Sequence, residues 1–210
     1  MMKGIGKTGW IIGLLTVLSV SVSAKVYWGA RSGVARSSLV QKVDLAYWSG
    51  SCVGYSAAVL ADIPFHGRFS FRPEVALVYQ GGSFLSDPID GLYMLRHKIG
   101  SYSLTPSFNL AFNIPISDVK MAVYGGPACD FHLWNNTSTK KIGEGPPLPT
   151  EKNLKPFDVG INAGISVEYK CVFFSINTLS GTLDRRSDKP ENESPVYQNN
   201  LTFSLGYFFR

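Results

Sequence analysis

The chain has 210 residues, of which 45% are apolar, 13% aromatic and only 17% charged. This composition excludes an intrinsically disordered chain, and a mean hydropathy near zero excludes a helical protein that crosses a membrane several times. The net charge is +5, of which Lys3 and Lys7 contribute two, and the remaining +3 is spread along the chain, so the sequence predicts no nucleic-acid partner.

The first predicted element is a secretory signal peptide over residues 1–24. Lys3 and Lys7 supply its positive start, an apolar run follows over residues 10–20, and Val22-Ser23-Ala24 supplies the small residues before a cleavage site. The apolar run is shorter than the roughly 20 residues of a membrane-spanning helix, which favours cleavage over a retained anchor. We therefore expect a mature domain over residues 25–210.

Eight segments of alternating apolar and polar residues follow, and no stretch has helical periodicity. The predicted strands span residues 25–35, 52–62, 67–80, 98–113, 118–134, 156–169, 171–181 and 196–209. Tight turns at 63–66, 114–117 and 168–170 alternate with long polar connections at 36–51, 81–97, 135–155 and 183–195. This pattern predicts an all-β fold: an eight-stranded antiparallel up-and-down transmembrane β-barrel with short periplasmic turns and long outer loops.

The two faces of the predicted strands differ in a way that favours a membrane barrel over a soluble one. One face is aliphatic and aromatic, with a predicted periplasmic girdle (Trp28, Phe69, Phe112, Tyr169, Tyr207 and Phe209) and a predicted outer girdle (Tyr79, Tyr102 and Phe157). The other face is small and polar and carries the charges within strands: Arg31, Asp62, Arg72, Glu74, Lys120, Asp158 and Glu168. A Lys or Arg that faces lipid at mid-bilayer costs about 2–4 kcal/mol, so we expect the charged face to line the lumen.

Two lysines do not fit this interpretation, and two other folds are alternatives to it. Lys98 and Lys170 break the rule that charged residues lie on the polar face, although the first lies at a strand rim and the second in a turn. A soluble lipocalin-like barrel and a periplasmic β-sandwich remain alternatives, and both would be released from cells by osmotic shock without detergent.

The lumen of an eight-stranded barrel is just wide enough for side chains to fill it, so we expect it to be plugged. Buried charges need partners. We therefore predict an ion-pair network around Arg31, Arg72 and Glu74, with Lys120 near Asp62 and Glu168 at the periplasmic end. We interpret this network as structural filling, with a conduction gate as the alternative.

The sequence predicts no catalytic, metal or cofactor site. Cys52, Cys129 and Cys171 are odd in number and widely spaced, which favours isolated apolar side chains over disulfides or metal ligands. The histidines lie in a predicted periplasmic turn (His66) or near the outer rim (His97 and His132). Asp130 and His132 share a lumen-facing side, but no His-x-Ser pair exists and no nucleophile is evident beside either of them.

The predicted outer loops carry cations that could meet an anionic lipopolysaccharide or a protein partner: Lys140, Lys141, Lys152, Lys155, Arg185, Arg186 and Lys189. The alternative is a solvated loop of mixed charge. It is favoured by the acidic residues among these cations, Glu144, Glu151, Asp184, Asp188, Glu191 and Glu193.

Several motifs in order resemble those of the PorT-family or OmpX-like outer-membrane β-barrels common in Bacteroidota. They are WGARSG at 28–33, GYSAAVLADIP at 54–64, FSFRPEV at 69–75, YQGGS at 79–83, YGGP at 124–127, FDVGINAG at 157–164 and LGYFF at 205–209. Arg210 after Phe209 departs from the commonest ending, and strand four lacks a carboxylate often present in its family counterpart.

The resemblance implies a protein of the cell outer membrane that contacts its lipid and lipopolysaccharide. It also implies insertion by the barrel-assembly machinery, which reads a terminal aromatic pattern. We expect a non-enzymatic barrel with a structural or surface-recognition role, and any surface partner is unknown. A component of a secretion or assembly system and a lipid A-modifying barrel enzyme are the alternatives.

Overall fold

The computed structural model describes residues 25–43, 46–85, 93–143, 154–187 and 194–209, so the predicted leader, residues 1–24, lies outside the described residues. Eight strands are present: β1 (Tyr27–Val43), β2 (Ala46–His66), β3 (Phe69–Leu85), β4 (Tyr93–Ile116), β5 (Val119–Gly143), β6 (Phe157–Tyr169), β7 (Val172–Gly181) and β8 (Val196–Phe209). Each pairs antiparallel with its neighbours in the chain, and β1 pairs with β8, so the sheet closes into a barrel. The predicted fold class is confirmed. Within these ranges no helix is long and apolar enough to cross a bilayer.

The strands run further than the sequence predicted at one end of the barrel. The long connections predicted at 36–51, 81–97 and 135–155 are wrong in extent, because β1 and β2 are separated only by residues 44–45, β3 and β4 by 86–92, and β5 continues to Gly143. The apolar alternation stops in these stretches while the hydrogen-bonded ladder continues. A ladder needs only backbone partners, so a strand with polar side chains on both faces forms without an apolar period in its sequence.

The opposite end of the barrel has three tight turns, as predicted, but they lie at 67–68, 117–118 and 170–171 rather than at 63–66, 114–117 and 168–170. Residues 63–66 belong to β2, because Ile63 and Pro64 still pair with β3. Two residues connect β2 to β3, β4 to β5 and β6 to β7, and the first of each pair has a positive φ: Gly67 (55°), Ser117 (53°) and Lys170 (56°). Two-residue hairpins need such a conformation because it matches the twist of the flanking strands. The described chain also begins and ends here, since Trp28 pairs with Phe209. We refer to this end as the turn end and to the other as the loop end.

The two faces of the barrel wall are arranged as the alternation of apolar and polar residues predicted. Along β8 every second side chain from Leu201 to Phe209 is exposed, and those between are buried. Trp28 is 58% exposed and Arg31 on the same strand is 7% exposed. All seven charged residues predicted for the lumen point inward, six of them buried and Lys120 half-buried.

Aromatic side chains collect on the outward surface at two levels, as the two predicted girdles require. At the turn end Phe69 packs on Phe112, with ring centroids 5.2 Å apart. Towards the loop end Tyr79 lies against Tyr55 and Tyr102, and the hydroxyls of the last two are 2.7 Å apart. The sequence placed Tyr55 on this face but did not assign it to a girdle.

Candidate functional site

The inward-facing side chains form layers along the barrel, and the layer at the turn end is an ion-pair cluster. Lys120 Nζ lies 3.0 Å from Asp62 Oδ2 and 2.9 Å from Glu168 Oε2, as the sequence predicted. Arg72 Nη2 lies 3.4 Å from the same Asp62 oxygen, and Arg72 Nη1 donates to Ser166 Oγ at 3.1 Å. Two cations thus share one buried carboxylate. Arg72 belongs to this turn-end cluster, whereas the prediction grouped it with Arg31 and Glu74.

The next layer is a buried bidentate pair between β1 and β3. Arg31 donates from Nε to Glu74 Oε2 at 2.9 Å and from Nη2 to Glu74 Oε1 at 2.6 Å. Its Nη1 donates to Asn177 Oδ1 at 2.8 Å and Ser204 Oγ at 2.7 Å. The planar guanidinium therefore forms two parallel hydrogen bonds to one carboxylate, and its remaining N–H groups donate to neutral acceptors. A buried charge requires such an arrangement.

A hydrogen-bonded cluster of β3, β4 and β5 residues lies nearer the loop end. Ser103 Oγ is 2.7 Å from His132 Nδ1, and Thr105 Oγ1 donates to Asp130 Oδ1 at 2.7 Å. Gln80 Nε2 donates to Asp130 Oδ2 and to Ser103 Oγ. His132 Nε2 is 3.8 Å from Asp130 Oδ2 and has no hydrogen-bond partner among the described residues. All five side chains of this Ser103–His132 cluster are buried.

The sequence indicated no nucleophile beside His132, because it contains no His-x-Ser pair. In the structure the Ser103 hydroxyl lies beside the imidazole, because Ser103 and His132 come from neighbouring strands and pair directly across the β4–β5 ladder. A register shift between Tyr102 and Ser103 sets that pairing. Local spacing carries no signal for such a contact. His97 is also buried, stacked on Phe84 at 4.9 Å, while His66 is exposed at the turn end.

A short segment after β7, which we call the strap (residues 182–187), crosses the loop end of the lumen. The backbone N–H groups of Thr182 and Leu183 donate to Asp158 Oδ1 at 3.3 and 2.9 Å. Arg185 N donates to Val196 O at 2.9 Å, and Lys155 N donates to Arg185 O at 2.9 Å. The strap is therefore fastened to β6, to β8 and to the segment before β6.

The two arginines of the strap are inside the barrel mouth, where the sequence predicted free loop cations. Arg185 and Arg186 are each 1% exposed. Burial lowers the pKa of the Arg185 guanidinium to about 10, and the carboxylates of Asp130 and Asp158 oppose that shift. Arg185 stays cationic at neutral pH and offsets the two carboxylates below it, so neither arginine is available to an external ligand. Among the other predicted loop cations, Lys140 is exposed and Lys155 half-buried, whereas Lys152 and Lys189 lie outside the described residues.

The mouth of the barrel is completed by an apolar cluster of Leu39, Phe84, Ile99 and Val196, against which Leu154 packs. Between this closed end and the Arg31–Glu74 layer, the lumen has a small cavity of about 30 Å³ lined by Ser56, Thr105 and Asn200 among others. A volume of that size holds one or two water molecules. It is too small for a substrate or a hydrated ion.

The structure gives no sign of a metal centre or a disulfide in the part of the chain that it describes. No group of three or more His, Cys, Asp or Glu side chains there is arranged to hold a metal ion. Cys52, Cys129 and Cys171 are free, half-buried thiols.

Comparison with protein families decides what kind of barrel this is. Residues 21–183 match the model of the outer membrane protein beta-barrel domain. The chain belongs to this family. It is therefore an outer-membrane protein with its turn end in the periplasm, its loop end outside the cell and its apolar face against lipid.

The chain is similar to several solved outer-membrane barrels. Ail of Yersinia pestis, in complex with the heparin analogue sucrose octasulfate, is 13% identical with a TM-score of 0.43, covering 88% of this chain and 99% of Ail. Neisserial surface protein A is 13% identical with a TM-score of 0.45, covering 87% and 97%. The outer membrane enzyme PagL is 11% identical with a TM-score of 0.45, covering 81% and 97%. Similarity at this level carries no information about function, and no curated protein matches the chain.

Proposed function

We propose that this protein is a non-enzymatic outer-membrane barrel with a structural or surface-recognition role and a lumen that does not conduct. The filled lumen carries the proposal. The turn-end cluster, the Arg31–Glu74 pair, the Ser103–His132 cluster and the strap succeed one another along the axis, and the cavity between them is about 30 Å³. Each layer joins side chains from different strands, so the layers brace the wall and block passage together.

Planar-bilayer recording of the purified wild-type protein tests the non-conducting lumen. We expect no stable large conductance, because buried side chains from β1, β3, β7 and β8 meet across the lumen in the Arg31–Glu74 layer. Arg72→Ala removes side-chain volume only from the turn-end cluster, so this variant should also show no stable large conductance. A stable large conductance in the wild type would refute the proposal.

The surface-recognition role is supported by the length of the β4–β5 hairpin. These strands have 24 and 25 residues, and a strand needs only about 9–11 residues to cross a bilayer. Beyond the Tyr102–Trp134 pair at the outer girdle, β4 and β5 continue as a paired wall that carries exposed Arg96 and Lys140. Cells expressing a barrel with this wall shortened should lose binding to host or envelope partners while folded barrel remains in the membrane. Equal binding by both barrels would argue for a structural role alone.

A lipid A-modifying enzyme is the second candidate, favoured by the 2.7 Å contact between Ser103 Oγ and His132 Nδ1. The location of the pair opposes it, since Ser103 is 0% exposed inside the lumen while lipid substrates lie outside the wall. Asp130 is also engaged by Gln80 and Thr105 rather than by the imidazole. These contacts support a bracing role for the Ser103–His132 cluster.

Mass spectrometry of lipid A incubated with the folded protein separates the two candidates. A non-enzymatic barrel leaves the acyl chains unchanged. Product that forms with the wild type, persists in His66→Ala and is lost in both Ser103→Ala and His132→Ala would establish catalysis and overturn the proposal.

Within the family, the narrower likeness to PorT-family barrels of Bacteroidota is supported by the order of the motifs from residue 28 to residue 209. A deletion strain tests whether this likeness extends to secretion. Normal export agrees with a recognition or structural barrel, whereas exported cargo trapped in the periplasm would assign the protein to a secretion system.

A further inference from the structure

The outward surface carries a polar patch near the loop end across β1, β8 and β7, which we call the notch. Its members are Arg36, Ser38, Ser180, Thr182 and Asn199, and they lie beside the exposed apolar residues Val34, Val53 and Leu201. The patch is continuous, because Ser38 pairs with Asn199 and Asn199 pairs with Ser180. On the other side of β1, Arg36 pairs with Val53, which is 79% exposed.

The notch contains a surface groove of about 350 Å³ lined by Val40, Ser180, Gly181, Thr182, Tyr197 and Asn199. The groove lies where β7 ends at Gly181 and the β7–β8 ladder stops at the pair of Ser180 with Asn199. Ser180 Oγ donates to Asn199 Oδ1 at 3.0 Å, which leaves Asn199 Nδ2 as the hydrogen-bond donor of that side chain. The groove opens sideways, towards the bilayer.

The notch lies at the depth of the outer-leaflet headgroups. Trp28, in the periplasmic girdle, and Arg36 both face outward on β1. At roughly 3.3 Å per residue and a strand tilt of about 40°, Arg36 lies about 20 Å further along the axis. The apolar band of such barrels is about 25 Å tall, so Arg36 is close to its outer margin. A long Arg side chain extends from there into the headgroup layer.

The charge of Arg36 is not used inside the protein. Arg36 is exposed and forms no ion pair with a described residue, in contrast to the lumen cations Arg31, Arg72 and Lys120. A guanidinium at a lipid interface is matched by a phosphate, with which it forms two parallel charge-assisted hydrogen bonds. Neighbouring hydroxyl and amide groups match the hydroxyls of a sugar headgroup.

We propose that the notch is a binding site for the phosphorylated sugar headgroup of an outer-leaflet lipid, with Arg36 on the phosphate and Ser180, Thr182 and Asn199 beside the sugar. A lipid fits better than a protein because Leu201 and Tyr197, which flank the notch, are exposed on the outward surface, where an acyl chain can lie beside them. The site depends on the outer-membrane placement of the barrel and is independent of whether the lumen is inert.

Lipid retention in nanodiscs tests the site. The protein is folded into phosphatidylcholine nanodiscs doped with lipid A, and native mass spectrometry after release counts the lipid A molecules that stay bound. Wild type should retain lipid A in preference to its dephosphorylated form, and Arg36→Gln should weaken retention about tenfold, as expected for the loss of a charge-assisted contact. Arg36→Lys should retain an intermediate amount, because it keeps the charge but loses the fork.

Arg68→Gln is the matched control, since it removes one exposed cation at the periplasmic turn. Heat-modifiable gel migration confirms that each variant is folded, which is expected because both side chains are exposed. Retention by Arg36→Gln equal to the wild type, an equal loss in Arg68→Gln, or no preference for the phosphorylated lipid would each overturn the proposal. None of these outcomes bears on conductance or lipid A hydrolysis, so the proposed function stands or falls separately.

Discussion

The buried pair between Arg31 and Glu74 offers the sharpest test of how the lumen is held together. Glu74→Gln keeps the shape of the side chain but removes the charge that faces both Arg31 Nε (2.9 Å) and Arg31 Nη2 (2.6 Å). Arg31 then remains buried at 7% exposure with only neutral acceptors, namely the amide oxygen at position 74, Asn177 and Ser204. Leaving one charge of a buried pair unpaired costs about 3–5 kcal/mol, so we expect a loss of that size in the free energy of unfolding.

The measurement is reversible urea unfolding in lipid vesicles, followed by tryptophan fluorescence and by gel migration. Arg31→Met alone should also destabilise the barrel, because Glu74 is then left buried without its cation. The double variant Arg31→Met/Glu74→Gln removes both charges. It should be more stable than the sum of the single effects implies, with a coupling of about 2–3 kcal/mol.

Additive losses in this cycle would refute the reasoning, because two side chains that do not interact show no coupling. A loss below about 1 kcal/mol in Glu74→Gln would do the same, since it would mean that water or another carboxylate reaches Arg31. Ser204→Ala serves as the comparison, since it removes one neutral acceptor of Arg31 and should cost only about 1 kcal/mol.

Three further predictions concern the wall and the mouth. Gly126→Ala should abolish refolding, because its Cβ would overlap Phe108 O on the neighbouring strand, while Gly125→Ala, whose Cβ meets Asn162 O at 3.3 Å, should refold. Val75→Arg should lower the vesicle unfolding free energy by about 2–4 kcal/mol, but Val53→Arg, near the outer margin, by about 0–1 kcal/mol. Asp158→Ala removes the acceptor that fastens the strap at Leu183, so trypsin should cleave after Arg185 and Arg186, which the wild type protects. Equal refolding, equal costs or equal protection would contradict the respective assignment.

The sequence predicted the barrel because bilayer and lumen impose opposite demands on alternate residues. The free-energy cost of a lipid-facing charge applies to each position separately. The inward orientation of Arg31, Glu74 and Asp158 could therefore be predicted from the sequence. The prediction of a lumen filled by side chains followed from the strand number. The pairing of Lys120 with Asp62 and Glu168 followed from their shared position at the periplasmic end.

The outer third of the barrel could not be predicted in the same way. Beyond the lipid, the outward face is no longer required to be apolar, so β1 and β5 lost their periodicity and were interpreted as loops. The existence of three tight turns was predicted correctly, but each was placed too early, at 63–66, 114–117 and 168–170 instead of 67–68, 117–118 and 170–171. A hydrogen-bonded ladder in water imposes no sequence pattern that would fix where a strand ends.

The alternation of the chain by itself determined which residues face lipid, which line the lumen and that the sheet closes. Only the tertiary structure decided which of the lumen residues meet. The contact of Ser103 with His132 depends on the β4–β5 register, and the burial of Arg185 and Arg186 depends on the strap folding into the mouth. Whether a side chain points to lipid or to the lumen depends on that residue and its surroundings. A contact between two side chains depends instead on the register and course of two separate segments.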